Sequence, residues 1–156
     1  MSGALNQQLL RLSALLQLEQ RARSLLPREL EFLIVNETVG VLPYQQAALW
    51  TPTRLVFSGV ADPDASAPYR EWISRLIDAG LRSRQAKSTH TSGSTDIPEP
   101  VAATWAEWFP THAIWCPIIG RDRQLLGVLL LARAEAWTEA DAQVLAVILG
   151  CYAQCL

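Results

Sequence analysis

The chain has little net charge and no long apolar run, and both absences exclude classes of function. It contains 13 basic and 15 acidic residues among 156, a net charge of −2, so no electrostatic attraction to nucleic acid or anionic lipid is expected. No stretch approaches the ~18 apolar residues of a membrane span, and the N-terminus lacks the basic-then-apolar pattern of a signal peptide. We therefore expect a cytoplasmic location, which includes the cytoplasmic part of a membrane protein, without direct membrane insertion of this segment.

The chain is also poor in side chains that catalyse reactions or bind metals. Its cysteines, Cys116, Cys151 and Cys155, are odd in number and indicate reduced thiols. His112 and Cys116 share a face of a predicted strand, but four residues of strand separate them by about 13 Å, too far for a catalytic dyad. Cys151 and Cys155 share a helix face, and two ligands do not make a zinc site. Since phosphate-binding glycine loops, HExxH and nucleophile elbows are lacking too, we predict no enzyme activity, no metal and no cofactor.

Apolar residues in helical spacing dominate the start of the chain. Half of the residues are apolar, and 156 residues is the usual size of a single domain. Leucines at alternating steps of four and three predict an amphipathic first helix, which we assign to residues 1–26. These leucines are Leu5, Leu9, Leu12 and Leu16. Pro27 suits the first turn of a second helix; residues 30–35 could instead form a strand, but the spacing of the charged residues around them favours helix.

The middle of the chain alternates short apolar runs with turn-forming residues. Residues 45–51 and 54–60 flank a Thr-Pro-Thr turn and predict an antiparallel hairpin. Apolar spacing predicts a third helix over residues 69–81. Residues 85–100 are rich in Ser and Thr, so we expect a mobile loop there. A short helix over residues 101–109 follows.

The C-terminal third predicts a second hairpin and a capped helix. Residues 112–119 and 124–131 form strands around a polar turn. Thr138 is placed to cap the final helix, and Asp141 is placed to complete a capping box. Residues 144–156 stop in mid-helix without a capping glycine or polar tail, so we expect a longer protein with a C-terminal effector or membrane portion. Antiparallel hairpins with helices at both ends predict an α+β domain.

Three segments of this C-terminal unit resemble the C-terminal half of a GAF domain. They are Cys116-Pro117-Ile118, Leu125-Leu126-Gly127-Val128-Leu129 and Trp137-Thr138-Glu139-Ala140-Asp141. The resemblance implies a GAF-like domain over residues 27–156, with terminal helices on one face of a central antiparallel sheet and short helices plus the mobile loop on the other. Residues 32–38 and 42–50 are also similar to GAF-like segments that precede membrane-fusion (periplasmic adaptor) proteins in bacterial efflux and secretion systems.

The resemblance implies a ligand pocket lined by aromatic residues, because GAF domains bind ligands on the sheet face away from the terminal helices. Aromatic walls with few polar groups are typical of small-molecule sites. The residues expected near this pocket are Trp50, Phe57, Trp72, Trp105, Trp108 and Trp115. The alternative is that these side chains fill a hydrophobic core, since helical spacing alone accounts for Trp72, Trp105 and Trp108.

The terminal helices indicate a second kind of site. Their apolar seams exceed what one sheet face can cover, and pairing of two copies would cover the surplus. We therefore predict a parallel homodimer; the alternative is a monomer whose first helix folds back onto its last. The predicted interface residues are Leu5, Leu9, Leu12, Leu16, Leu145, Ile148 and Tyr152.

Two functions remain compatible with these patterns. In the first, the chain is a non-enzymatic regulatory or sensory domain that binds a small apolar or aromatic ligand and signals through the helical dimer. In the second, it is a ligand-independent dimerisation or assembly module of a bacterial transport or secretion system, and its own tryptophans fill the pocket.

Overall fold

The computed structural model describes residues 2–58, 68–93 and 101–156. The strands are β1 (Gln46–Trp50), β2 (Leu55–Phe57), β3 (His90–Ser92), β4 (His112–Ile119) and β5 (Leu125–Arg133). The helices are α1 (Ser2–Arg23), α2 (Pro27–Glu37), α3 (Pro68–Leu81), α4 (Trp105–Trp108) and α5 (Glu139–Cys155). These strands form one antiparallel sheet in the order β2-β1-β5-β4-β3. Among the helices of the described residues, none combines the length and apolar composition needed to cross a bilayer.

Alternate residues of the sheet face two separate hydrophobic cores. The first core lies between the sheet and the helices α1, α2 and α5, and it receives Ile114, Cys116 and Leu129 from the central strands. The second core lies between the sheet and the helices α3 and α4, and it receives Trp115 and Leu130 from the same strands. Because strand side chains alternate between faces, each central strand supplies both cores. The predicted α+β architecture, with terminal helices on one face and shorter helices on the other, is confirmed.

The segment after Pro27 is the helix α2 and not a strand. Pro27 lies in its first turn, where the missing N–H has no partner to lose. Leu30, Leu33 and Ile34 are buried in the first core. The charged residue between them, Glu31, is also buried, and its carboxylate lies 2.8 Å from Arg54 Nε of the β1–β2 turn. The helical spacing of these residues therefore outweighs the strand preference of β-branched residues such as Ile34.

The prediction of a mobile loop over residues 85–100 is wrong for its first part. β3 lies inside this range and pairs with β4, with His90 opposite Trp115 and Thr91 opposite Ile114. The preceding turn is also fixed, because Ala86 accepts a hydrogen bond from the Trp115 indole. A polar edge strand needs only backbone pairing, which Ser/Thr-rich composition does not exclude. Residues 94–100 of the predicted loop and residues 59–60 of the predicted hairpin lie outside the described residues.

The hairpin of β4 and β5 and the cap of α5 confirm the C-terminal predictions. Thr138 Oγ1 accepts a hydrogen bond from the Asp141 N–H at 3.1 Å, and Asp141 Oδ2 accepts one from the Thr138 N–H at 2.9 Å. Arg133 donates to the same carboxylate oxygen at 2.6 Å and so joins the end of β5 to the start of α5. Gly127 is required in β5, because a Cβ at this position would lie 2.7 Å from the Trp50 carbonyl oxygen.

Candidate functional site

Most of the predicted pocket residues are packed inside the second core. Phe57, Trp72, Trp105 and Trp115 are all at most 6% exposed. The Trp72 and Trp105 rings meet edge to face, with centroids 5.6 Å apart and an interplanar angle of 84°. Phe109 contacts both of these rings, at 5.6 and 5.8 Å. This edge-to-face packing is the arrangement that aromatic rings prefer in a core, and it fills the space between the sheet and the helices α3 and α4.

The indole N–H groups of these tryptophans are satisfied by the chain itself. Trp72 Nε1 donates to the Val101 carbonyl at 3.1 Å, and Trp105 Nε1 donates to the Pro110 carbonyl at 2.8 Å. Trp115 Nε1 donates to the Ala86 carbonyl at 2.9 Å. A pocket normally offers unpaired polar groups to its ligand, and these three donors are already used. Their arrangement is that of a hydrogen-bonded aromatic core.

Trp115 lies directly against the backbone of α3. A Cβ placed on Gly80 would lie 2.3 Å from Cζ3 of the Trp115 ring, a distance that real Cβ atoms do not tolerate. The ring can therefore occupy this position only because residue 80 has no side chain. The Trp115 ring thus fills the space beside Gly80 in the second core.

Trp50 and Trp108 are half-buried and pack against the edge of the second core. Trp108 also lines two open clefts on the surface, of about 390 and 530 Å³. Glu107 lines both clefts, and the larger cleft is bordered by Tyr44 and Tyr69 as well. Of the six aromatic residues predicted to bind a ligand, Trp108 is the one with the clearest access to solvent-filled space. Ligand binding by any of the six stays a prediction.

The residues of the predicted dimer seam separate into two groups. Leu5, Leu9, Leu12 and Leu16 of α1 are 57%, 54%, 51% and 52% exposed. By contrast, Leu145, Ile148 and Tyr152 of α5 are buried in the first core of their own chain. The phenol of Tyr152 shares a 2.6 Å hydrogen bond with Thr38 Oγ1 beneath α2.

The assignment of the α5 residues to a surface seam is therefore wrong in this structure. Spacing alone predicted that they share a helix face, and it did not distinguish a face that packs on the sheet from one that meets a second copy. The α1 leucines stay available for pairing.

Two of the three cysteines, Cys116 and Cys151, occupy positions that suppress thiol chemistry. Cys116 is fully buried in an unbroken β4, where desolvation raises the pKa of its thiol well above the usual range. Burial, and to a smaller extent the neighbouring Cys155, raises the pKa of Cys151 to about 11. Since a thiolate is the reactive form of cysteine, neither thiol is prepared to act as a nucleophile. Within the described parts of the chain, no group of three or more His, Cys, Asp or Glu side chains could hold a metal ion.

Sequence reasoning did not identify Tyr69 and Glu107 as neighbours of Trp108. Tyr69 lies at the start of α3 and Trp108 lies in α4, and their ring centroids are 6.0 Å apart at 47°. Helical spacing places each residue on a face of its own helix, but it carries no information about which helices meet. The aromatic character of the two positions was the only signal in the sequence.

The sequence matches no protein-family model and no curated protein. Its structure is similar to the GAF domain of a protein described as a sensor histidine kinase from Pseudomonas syringae pv. tomato, with a TM-score of 0.61 and 15% identity over 92% of this chain and 83% of that chain. It is also similar to residues 122 to 287 of a methyl-accepting chemotaxis protein, with a TM-score of 0.62 and 17% identity over 92% of this chain and 95% of that chain. At these identities the comparison establishes the fold and leaves function to be argued from the residues. The chain therefore has a GAF-like α+β fold, as the sequence segments around Pro117, Gly127 and Thr138 predicted.

Proposed function

We propose that this chain is a regulatory, non-catalytic GAF-like module that acts as a parallel homodimer joined through α1. The single observation that carries this proposal is the exposed leucine stripe of α1, defined as Leu5, Leu9, Leu12 and Leu16. The GAF-like neighbours in a sensor kinase and a chemotaxis receptor support a signalling role. The filled second core supports a module that holds its shape without an interior ligand.

The first half of α1 is exposed within the described part of the chain. Every side chain from residue 5 to residue 13 is exposed, whereas Leu18 and Ala22 further along the helix are buried in the first core. A helix of about a dozen residues is only marginally stable in water without tertiary contacts. A second helix packed on the leucine stripe would supply these contacts.

A second copy of the same helix is the partner that the composition favours. Between residues 2 and 18, Arg11 is the only charged residue, so two α1 helices can approach without like-charge repulsion along their length. The alternating steps of the leucine stripe correspond to the seam positions of a coiled coil. The first charged residue at a seam position is Glu19, which pairs within its own helix with Arg23 at 2.8 Å. The seam thus ends where α1 joins the protein body.

The energy of the stripe indicates a reversible dimer. Each leucine is about half exposed, and covering half of a leucine side chain gives about 0.8–1.5 kcal/mol. Over both copies the stripe contributes about 6–12 kcal/mol, from which association subtracts at least about 4 kcal/mol. The remaining free energy, about 2–8 kcal/mol, spans dissociation constants from about 1 μM to tens of millimolar, and the proposed dimer requires at least about 4 kcal/mol, a dissociation constant of about 1 mM or tighter.

Sedimentation velocity of the wild type, Leu9→Glu and Gln7→Glu, from about 10 μM to about 1 mM, tests this proposal. Leu9→Glu removes about 2 kcal/mol of apolar burial from the dimer and adds two carboxylates to the seam. The dissociation constant should therefore rise at least thirtyfold. Gln7→Glu adds the same charge on an exposed face away from the stripe, and it should leave association unchanged. A wild type that stays monomeric at about 1 mM, or equal effects of the two variants, would exclude the α1 interface.

A small-molecule sensor is the second candidate function. The observation that favours it is the pair of open clefts beside Trp108, because they offer aromatic surface to solutes that the packed interior does not. The two candidates differ in what they require of the dimer. A module without a ligand dimerises under all conditions, whereas a sensor changes its association or its helix packing when the cleft is occupied.

A further inference from the structure

The larger cleft beside Trp108 is built from aromatic, amide and carboxylate groups and has a volume of about 530 Å³. It lies between four parts of the chain: the short 3-10 helix Thr38–Gly40 after α2, the start of β1, the start of α3 and the helix α4. Its principal lining residues are Val39, Tyr44, Gln46, Tyr69, Glu107 and Trp108. The rings of Tyr69 and Trp108 stand 6.0 Å apart at 47° and so form two walls of a corner.

The polar groups of the cleft are arranged in a defined order. The Tyr69 hydroxyl donates to Gln46 Oε1 at 3.0 Å, and the Tyr44 hydroxyl donates to the Val35 carbonyl at 2.5 Å. Both phenols are therefore held in place by the chain, which fixes the orientation of their rings. A ligand would meet ring faces whose positions are already set.

The charge of the cleft has one sign. Glu107 is exposed and lines the cleft, and among the described residues it has no ion-pair partner and no Arg, Lys or His lines the cleft beside it. Two arginines of α3 contact other groups: Arg75 bonds to Glu71 at 2.7 Å, and Arg70 lies over the Phe57 ring at 6.0 Å. Among the described lining residues an anionic ligand would find no counter-charge, whereas a cation would find a carboxylate and aromatic rings in the same cleft.

We propose that this cleft binds a small organic cation of the ammonium class. Its positive group would lie in the corner of Tyr69 and Trp108 near Glu107, because the faces of aromatic rings attract cations and the carboxylate adds a full negative charge. Its apolar part would lie against Val39, which lines the cleft and is 40% exposed. The inference gives the second candidate function a ligand class, and it does not depend on pairing through α1.

The test is a titration of the ¹⁵N-labelled chain with choline and with its neutral isostere 3,3-dimethylbutan-1-ol, followed by backbone amide shifts. Choline should give saturable shifts at Gln46, Tyr69 and Glu107, and the isostere should bind at least roughly fivefold more weakly, since it keeps the shape and loses the charge. Equal binding of the two compounds would overturn the proposal, and so would choline shifts that do not saturate or that map outside the cleft.

Variants separate the two attractive elements. Glu107→Gln should weaken choline about three- to fivefold, and Trp108→Leu should weaken it about tenfold. Glu135→Gln removes another exposed carboxylate, one that does not line the cleft, and should leave choline affinity unchanged. If Glu107→Gln and Glu135→Gln behave alike, the carboxylate does not recognise the cation and the proposal is overturned. Because the choline titration and the sedimentation experiment use different variants, either proposal can fail while the other stands.

Discussion

Replacing Trp115 with alanine should measure how far the second core depends on its own tryptophans. The side chain is 3% exposed, and truncating a buried tryptophan to alanine typically lowers the free energy of unfolding by 3–5 kcal/mol. The change also removes the donor that satisfies the Ala86 carbonyl, which adds about 1 kcal/mol. We expect a loss of about 4–6 kcal/mol, a large fraction of the 5–15 kcal/mol that stabilises a typical domain.

Urea denaturation followed by far-UV circular dichroism gives this quantity, with Leu26→Ala as the matched control. Leu26 is 69% exposed, so its truncation should change the free energy of unfolding by less than about 0.5 kcal/mol. The cavity left by Trp115→Ala has the shape of an indole, and added indole at tenfold its dissociation constant should restore about 1.4 kcal/mol. A loss below about 1 kcal/mol for Trp115→Ala would refute the packing described for this ring.

Two further substitutions test particular contacts. Gly80→Ala should lower the free energy of unfolding by about 1–3 kcal/mol, because its Cβ collides with the Trp115 ring. Gly150→Ala is the control: no atom lies within 4 Å of the new Cβ, so it should be neutral or stabilising. Equal effects of the two variants in urea denaturation would contradict the contact. Burial raises the pKa of Asp141, but the hydrogen bonds from Thr138 and Arg133 outweigh burial and leave it below the usual value. The stability that the ionised Asp141 gives to the folded state is therefore present above about pH 4 and lost as the pH falls further. Asp141→Asn should lower the free energy of unfolding by about 1–2 kcal/mol at pH 7 and by progressively less in acid. A difference from wild type that does not change with pH would argue against the capping carboxylate.

The fold could be predicted well from the sequence because its signals are local. The capping box at Thr138, the turn between β4 and β5 and the continuous apolar run along β4 are set by residues that lie close together in the chain. β3 was missed because its residues are polar and an edge strand is specified mainly by its neighbour's backbone. The residues of β3 alone do not indicate which strand they pair with.

The candidate sites could be predicted less well because they depend on which faces meet. Tyr152 and Leu16 both lie in apolar helical seams, yet the first is buried in its own chain and the second is half exposed. Their spacing is similar, and the difference comes from what each helix packs against, since α5 packs on β4 whereas only the second half of α1 reaches the first core. The corner formed by Tyr69 and Trp108 arises in the same way, from the meeting of two residues that lie 39 positions apart in the chain.

The most direct measurement of the central claim is disulfide trapping of Leu16→Cys under mild oxidation, with Gln17→Cys and the wild type as controls. In a parallel pair, residue 16 of one copy lies opposite residue 16 of the other, so Leu16→Cys should give a covalent dimer on non-reducing gels. Gln17 is exposed on the same helix but lies off the leucine stripe, and it should give no more dimer than the native thiols of the wild type. Equal trapping at the two positions, or none at Leu16→Cys, would contradict a homodimer joined through the α1 leucine stripe.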